Sequence, residues 1–533
     1  MSKDGNESTN HEISSTANAS QSDDAEAPRV SVFFGVKRTN WNVAVICMVY
    51  MISKTLVMAV FTFITIAVHS ITGHDDPHEA IYPIGWLKLG SAITALPISK
   101  FFLMLGRFNG FVCGLCIHLC GLIVVLCGLL FNSPGALYTG TFLLGGGAAI
   151  MNFLRFAASE VCLQDAVDKG LALTYVQGAA VGAAVLGPLL SVLSHYIISG
   201  EPFGGIILIL GILVLASIVG LKSVKFPPMD REKALVKTSV TGASAGGVEE
   251  NGRSLVEIAS SPPFLVALSL QAVSTSVMIN YMAVLPLVMT HNYNFDYQMM
   301  SMVMMVHMLG MYATSFISGP FIYKVGLWHT IIVGMALYFL SWLGYRLGAG
   351  NVASFAISSY LVGVGWNLLS ACSGILVLGV THKGESLKKP ILQSILDFLN
   401  YFSNSIFVFI VANVYIEGGW EEGVLYLHLA MILLMIICAI YVKIVGLDTS
   451  LDLGNLDKGG TGSGQKEQNP HSEDDNVLED VPSSLIMARP SFYGQADQEA
   501  GTVSLSKERA GTVLREQQNP ITRKLETNEE RGL

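Results

Sequence analysis

The chain has 533 residues, 51% of them hydrophobic and only 13% charged, against about 25% charged residues in an ordinary soluble domain. Its mean hydropathy is +0.52, and the apolar excess is concentrated in runs long enough to match the hydrocarbon thickness of a bilayer. A soluble enzyme, a nucleic-acid binder and a secreted disulfide scaffold are excluded. The net charge of −9 does not alter this, because most of the charges fall in tails and loops.

Residues 1–40 are rich in Ser, Asn and Asp without hydrophobic periodicity and read as a disordered tail with no signal peptide. Twelve apolar spans are predicted at about 42–69, 82–105, 109–131, 136–160, 171–197, 203–222, 263–290, 297–321, 328–347, 353–379, 390–415 and 421–446. They group into a first bundle over 41–222 and a second over 262–446, joined by a polar linker at 223–261; residues 447–533 form a second polar tail read as disordered. Lys100 lies at the end of span 2, and Arg107, Lys169, the basic linker, Lys324 and Lys383 fall between even-numbered spans and those that follow, while the opposite loops are acidic apart from Arg346. The positive-inside rule then puts both tails in the cytoplasm.

A gapless shift of 220 residues places Thr55-Leu-Val-Met58 on Thr275-Ser-Val-Met278, Phe101 on Phe321, Gly106 on Gly326, Gly114 on Gly334 and Gly145 on Gly365. One offset that holds across several spans predicts two parallel six-helix repeats with a solute site between them near the membrane midplane. The eight cysteines lie in or at the ends of apolar segments; they read as packing residues rather than as a disulfide or metal framework.

Two segments carry further information. Leu96-Pro-Ile-Ser-Lys-Phe-Phe-Leu-Met-Leu-Gly106-Arg107-Phe-Asn-Gly110 joins spans 2 and 3, and Gly178-Ala-Ala-Val-Gly182-Ala-Ala-Val-Leu-Gly187-Pro188 lies in span 5. With the twelve spans, the central linker and the repeat, these resemble the major facilitator superfamily, over about residues 41–446. The first looks like that family's loop signature and the second like its glycine-proline motif, which implies gating roles for Gly106, Arg107, Gly187 and Pro188. The loop departs from the family pattern: Leu103-Met-Leu105 stands where an acidic residue is usual. Phe153-Leu-Arg-Phe-Ala-Ala-Ser-Glu160 and Gly363-Val-Gly-Trp-Asn367 are similar to a mostly bacterial branch of facilitators, near which some riboflavin carriers fall.

Ionisable groups in hydrocarbon cost about 2.5–3.5 kcal/mol each on insertion scales, so each needs a reason. Lys54, near the middle of span 1, is read either as a cation lining a central cavity or as half of a structural ion pair. His307 in span 8 and Asp397 in span 11 are candidates for proton coupling, His307 also for solute binding; a packing histidine and a helix cap are the rival readings. Arg155, in a span where the resembling family often has an arginine, and Asn367 complete the binding candidates. Neither a phosphate loop nor a metalloprotease motif occurs, and no cofactor, metal or nucleic-acid partner is expected.

The function expected is secondary active transport, by alternating access, of a small polar or anionic metabolite, with symport of protons as the coupling. The chain is expected to be a multi-pass protein in contact with membrane lipids; the plasma membrane is the default and an organelle membrane stays open. An uncoupled facilitator of a vitamin-like solute such as riboflavin, and a facilitator-like receptor or scaffold, are the alternatives.

Overall fold

The computed structural model describes residues 32–33, 36–73, 79–161, 166–194, 203–227, 254–348, 350–380 and 389–444. The greater part of both tails and of the linker, together with Lys169, Lys383 and the acidic loop around Asp75, lies outside these residues or has no described side chain.

Two-residue strands, Val32–Phe33 and Val36–Lys37, pair antiparallel just ahead of the first helix, inside the stretch expected to be unstructured. The N-terminal half then contains α1 (Arg38–Thr72), α2 (Tyr82–Ala95), α3 (Ile98–Leu130), α4 (Pro134–Met151), α5 (Leu154–Val161), α6 (Ala166–Leu193) and α7 (Gly204–Leu221). A single turn of helix, α8 (Leu255–Ala259), opens on a capping box between Ser254 and Glu257. The C-terminal half follows with α9 (Pro262–Leu287), α10 (Tyr297–Ala313), α11 (Ser315–Val325), α12 (Leu327–Leu347), α13 (Val352–Val380), α14 (Lys389–Gly418) and α15 (Leu425–Ile444).

Among the described residues, nine helices are long and apolar enough to cross a membrane, or ten if α10 and α11, bent by 48°, form one span. The expected twelve requires two more, and two places would supply them. The stretch Ile391–Tyr441 runs for 51 residues but is interrupted at Gly419, whose φ is 65°. The 14-residue α2 resumes beyond Pro97 and reaches Gly106 inside α3, where φ is 77° and ψ is 168°. Only glycine adopts such a backbone without strain, so Gly106 separates spans 2 and 3 although the helical hydrogen bonding almost closes over it.

The repeat is visible in the backbone. Gly326, the 220-shifted mate of Gly106, has φ 90° and ψ 157°, nearly the same conformation at the equivalent turn. A Cβ on Gly90 of α2 would lie 2.0 Å from the carbonyl oxygen of Phe142, and one on Gly310 of α10 would lie 2.6 Å from that of Tyr360. The same offset therefore relates two places where backbones approach too closely for any side chain.

Within the N-terminal half, α1 packs on α6, α2 on α4, and α3 on α4 and α7; within the C-terminal half, α13 packs on α9, α10 and α12, and α12 on α15. The halves meet along α1 with α9, α2 with α14, and α6 with α10. Between α2 and α14, Ser405 Oγ donates to the Gly85 carbonyl at 2.9 Å. Elsewhere between the halves, Thr65 donates to the Ala283 carbonyl at 3.4 Å and Phe203 packs on Tyr297 with ring centroids 5.8 Å apart.

Candidate functional site

Lys54 lies one residue from the midpoint of α1, about 24 Å along the axis from Arg38 at 1.5 Å per residue. Its Nζ donates to Asn152 Oδ1 at 2.7 Å, and the Asn152 amide donates in turn to the Tyr401 hydroxyl at 3.0 Å. The chain Lys54–Asn152–Tyr401 thus runs from the first helix of the N-terminal half to α14 of the C-terminal half. Nζ also stands 5.2 Å from the ring centre of Tyr50 one turn away, and the Tyr50 hydroxyl donates to Gln177 Oε1 on α6 at 3.1 Å. Lys54 forms no ion pair with a carboxylate among the described residues; its bonded partner is an amide.

Asn152 occupies the break between α4 and α5, where the helix loosens at Asn152 and Phe153. That break presents the side chain of Arg155, which lies with Cζ 4.9 Å from the Phe156 ring centre and a buried Nε lacking a hydrogen-bond partner. Arg155, Lys54 and Asp397 interact electrostatically, and the carboxylate of Asp397 accepts from Gln393 Nε2 at 3.0 Å. Lys88 on α2 joins this group: its Nζ stands 5.3 Å from the Phe61 ring centre and 5.8 Å from that of Tyr401, within electrostatic reach of Lys54. Lys54, Lys88, Arg155 and Asp397 all keep part of their surface accessible.

Two expected binding residues lie elsewhere. His307 is 1% exposed and its Nδ1 meets the Ser359 carbonyl oxygen at 2.8 Å, bracing α10 against α13. Asn367 donates to the Met311 carbonyl and to Ser315 Oγ, both at 2.7 Å, which ties α13 to the bend between α10 and α11. Both bond within the C-terminal half, with His307 Nε2 and Asn367 Oδ1 left buried without a hydrogen-bond partner, and no hydrogen bond joins them to the Lys54 cluster among the described residues.

Of the gating candidates, Arg107 forms a two-pronged ion pair with Glu160 at the end of α5, with Nε to Oε2 at 2.9 Å. Because Leu103-Met-Leu105 offers no carboxylate, the charge partner comes from another helix. Its guanidinium also covers the Phe102 ring at 5.2 Å. Gly187 lets α6 close on α1: a Cβ there would lie 2.7 Å from Met58 Cβ and 3.0 Å from the Ala59 amide nitrogen. Pro188 lies inside α6, next to that contact.

Lys88, Asn152, Tyr401 and Tyr50 are the site residues that sequence reasoning missed. Lys88 and Asn152 had a signal, being a charge and an amide inside apolar runs. The tyrosines had none, since an aromatic ring in an apolar span is ordinary.

No protein-family model matches the chain. The riboflavin transporter RfnT of Brucella anthropi is 24% identical over 347 residues, covering 65% of this chain and 82% of the relative. Among solved structures, a partially occluded inward-open conformation of the xylose transporter XylE from E. coli superposes with a TM-score of 0.56 at 12% identity. That match covers 76% of this chain and 97% of the neighbour. The likeness to XylE is one of fold.

Proposed function

Taking as premise that the chain is a multi-pass membrane protein of major facilitator type, we propose that it carries a small polar or anionic metabolite across the membrane by alternating access. The observation that carries this reading is the hydrogen-bonded chain Lys54–Asn152–Tyr401, which places a mid-membrane cation at the seam between the two halves. A charge there costs several kcal/mol unless protein, water or solute surrounds it. A solute bound at the seam touches both halves and so biases how they rock.

In this reading Lys54 and Arg155 bind the solute, Asp397 is the proton-coupling group, and His307 and Asn367 hold the C-terminal half together. Gly106, Arg107, Gly187 and Pro188 serve the gates, and both termini face the cytoplasm, as the basic bias of the loops indicates. A riboflavin-like solute is the second reading. It is favoured by the riboflavin transporter among the relatives and by the rings of Tyr50, Phe61 and Tyr401 around the two lysines, which suit a flat heteroaromatic body.

Counterflow in proteoliposomes holding the full chain tests the proposal. Vesicles preloaded with a metabolite mixture that includes riboflavin are expected to accumulate the labelled substrate transiently and saturably. Uptake equal to that of empty vesicles for every compound tried would overturn the carrier reading and leave a receptor or scaffold.

A further inference from the structure

The charges at the seam do not balance. Among the described residues, Lys54 and Arg155 share the one carboxylate of Asp397, Lys88 adds a third cation within electrostatic reach of Lys54, and Glu160 is engaged by Arg107. Lys88 is the least provided for: among the described residues its ammonium has no hydrogen-bonded acceptor and rests only on the faces of Phe61 and Tyr401. Such contacts are worth about 0.5–2 kcal/mol, less than a charge-assisted hydrogen bond to an anion in the same setting. Phe61 belongs to α1 and Tyr401 to α14, so the ammonium spans the seam as Lys54–Asn152–Tyr401 does.

We propose that Lys88 is a solute-selecting residue, and that the solute is a flat organic anion whose carboxylate or phosphate is gripped between Lys88 and Lys54. This rests on the carrier reading above. Binding exchanges partners. The anion draws the Lys88 ammonium off the two rings, and the uncovered faces of Phe61 and Tyr401 receive the solute's planar body. Because Tyr401 is also the end of the chain from Lys54, occupancy alters both connections across the seam at once. A neutral solute of the same shape leaves Lys88 on its rings and finds those faces covered.

Matched pairs that differ by one charge test this: nicotinate with nicotinamide, and riboflavin 5′-phosphate with riboflavin, each measured for uptake by the full-length protein in proteoliposomes. The anionic member of at least one pair is expected to enter about tenfold faster than its neutral mate, a ratio equivalent to about 1.4 kcal/mol. Lys88→Met, which keeps the stem and removes the charge, should bring that ratio close to one, and Lys88→Arg should keep most of it. The wild-type ratio needs no variant, so a misfolded Lys88→Met would not spare the proposal. Faster uptake of both neutral members leaves the carrier reading standing and overturns this one. So does an anion preference that survives Lys88→Met in protein of unchanged melting temperature. Absence of uptake for all four compounds, when another metabolite shows counterflow, overturns the flat-anion class alone. Absence of any counterflow overturns both.

Discussion

The two halves share a frame and differ in what they hang on it. Gly106 and Gly326 adopt the same left-handed turn, and Gly90 and Gly310 make the same close approach, each pair 220 residues apart. The charges do not repeat. The mates of Lys54, Lys88, Arg155, Arg107 and Glu160 under that shift are Ser274, Met308, Ile375, Leu327 and Val380. Asp397 of the C-terminal half has Gln177 as its mate. Backbone geometry obeys the repeat because both bundles solve the same packing problem. Charge does not follow it, as the proposed carriage of one asymmetric solute between the halves requires.

The largest effect should fall on the shared frame, equally in both halves. Gly90→Val and Gly310→Val each drive a side chain into a carbonyl oxygen, at 2.0 and 2.6 Å from the would-be Cβ. Overpacking against backbone costs about 1–3 kcal/mol or more. Both variants should lose most monodisperse protein in detergent; normal yield and melting temperature for one of them would break the symmetry.

Next comes the charge asymmetry. Lys54→Ala should lower uptake at least about tenfold, roughly 1.4 kcal/mol, at equal surface expression. Ser274→Ala, which removes only a hydroxyl bonded to the Gln271 carbonyl of its own helix, should stay within about twofold, a few tenths of a kcal/mol. Lys54→Arg should restore only part, since a planar fork does not replace a compact ammonium. Equal losses at positions 54 and 274 would show that the N-terminal half has no privileged role.

The Arg107–Glu160 pair offers a sharper test, since the C-terminal half is built without it. Arg107→Leu alone removes the two-pronged bond to Glu160 and should destabilise by about 1–3 kcal/mol. Arg107→Leu combined with Glu160→Val copies Leu327 and Val380 and should recover much of that loss. Thermal melting of the wild type, Arg107→Leu, Glu160→Val and the double variant decides; a double variant worse than the sum of the singles would refute the equivalence.

The smallest effects should separate Asp397 from His307. Asp397→Asn should flatten the pH dependence of uptake. His307→Gln should leave its shape unchanged and lower stability by about 1 kcal/mol through the lost bond to Ser359. A pH profile altered by His307→Gln and not by Asp397→Asn would return the coupling role to the histidine.

Much of this was legible in the residues. Apolar runs located the spans, because lipid exposure tolerates little else. The 220 shift exposed the repeat, and the glycine at position 106 could be read as a turn because few other residues tolerate its backbone. Lys54 stood out by depth alone. Its bonded partner needed the fold: among the described residues it is the amide of Asn152, 98 residues away, and not a carboxylate.

What the tertiary structure alone decided is direction. Lys88 and His307 are both ionisable groups inside apolar spans, yet one faces the seam and the other a carbonyl within its own bundle. In water a helix shows its buried face as an apolar stripe. In a membrane both lipid and protein neighbours are apolar, so the sequence carries no such stripe and does not report how each helix is rotated. Depth follows from position along the chain, whereas facing follows from which helices pack alongside and from where Asn152 breaks span 4 ahead of Arg155. A polar residue in a span therefore announced that it had a partner, and only the packing of the two halves determined whether that partner belonged to the bundle or to the seam.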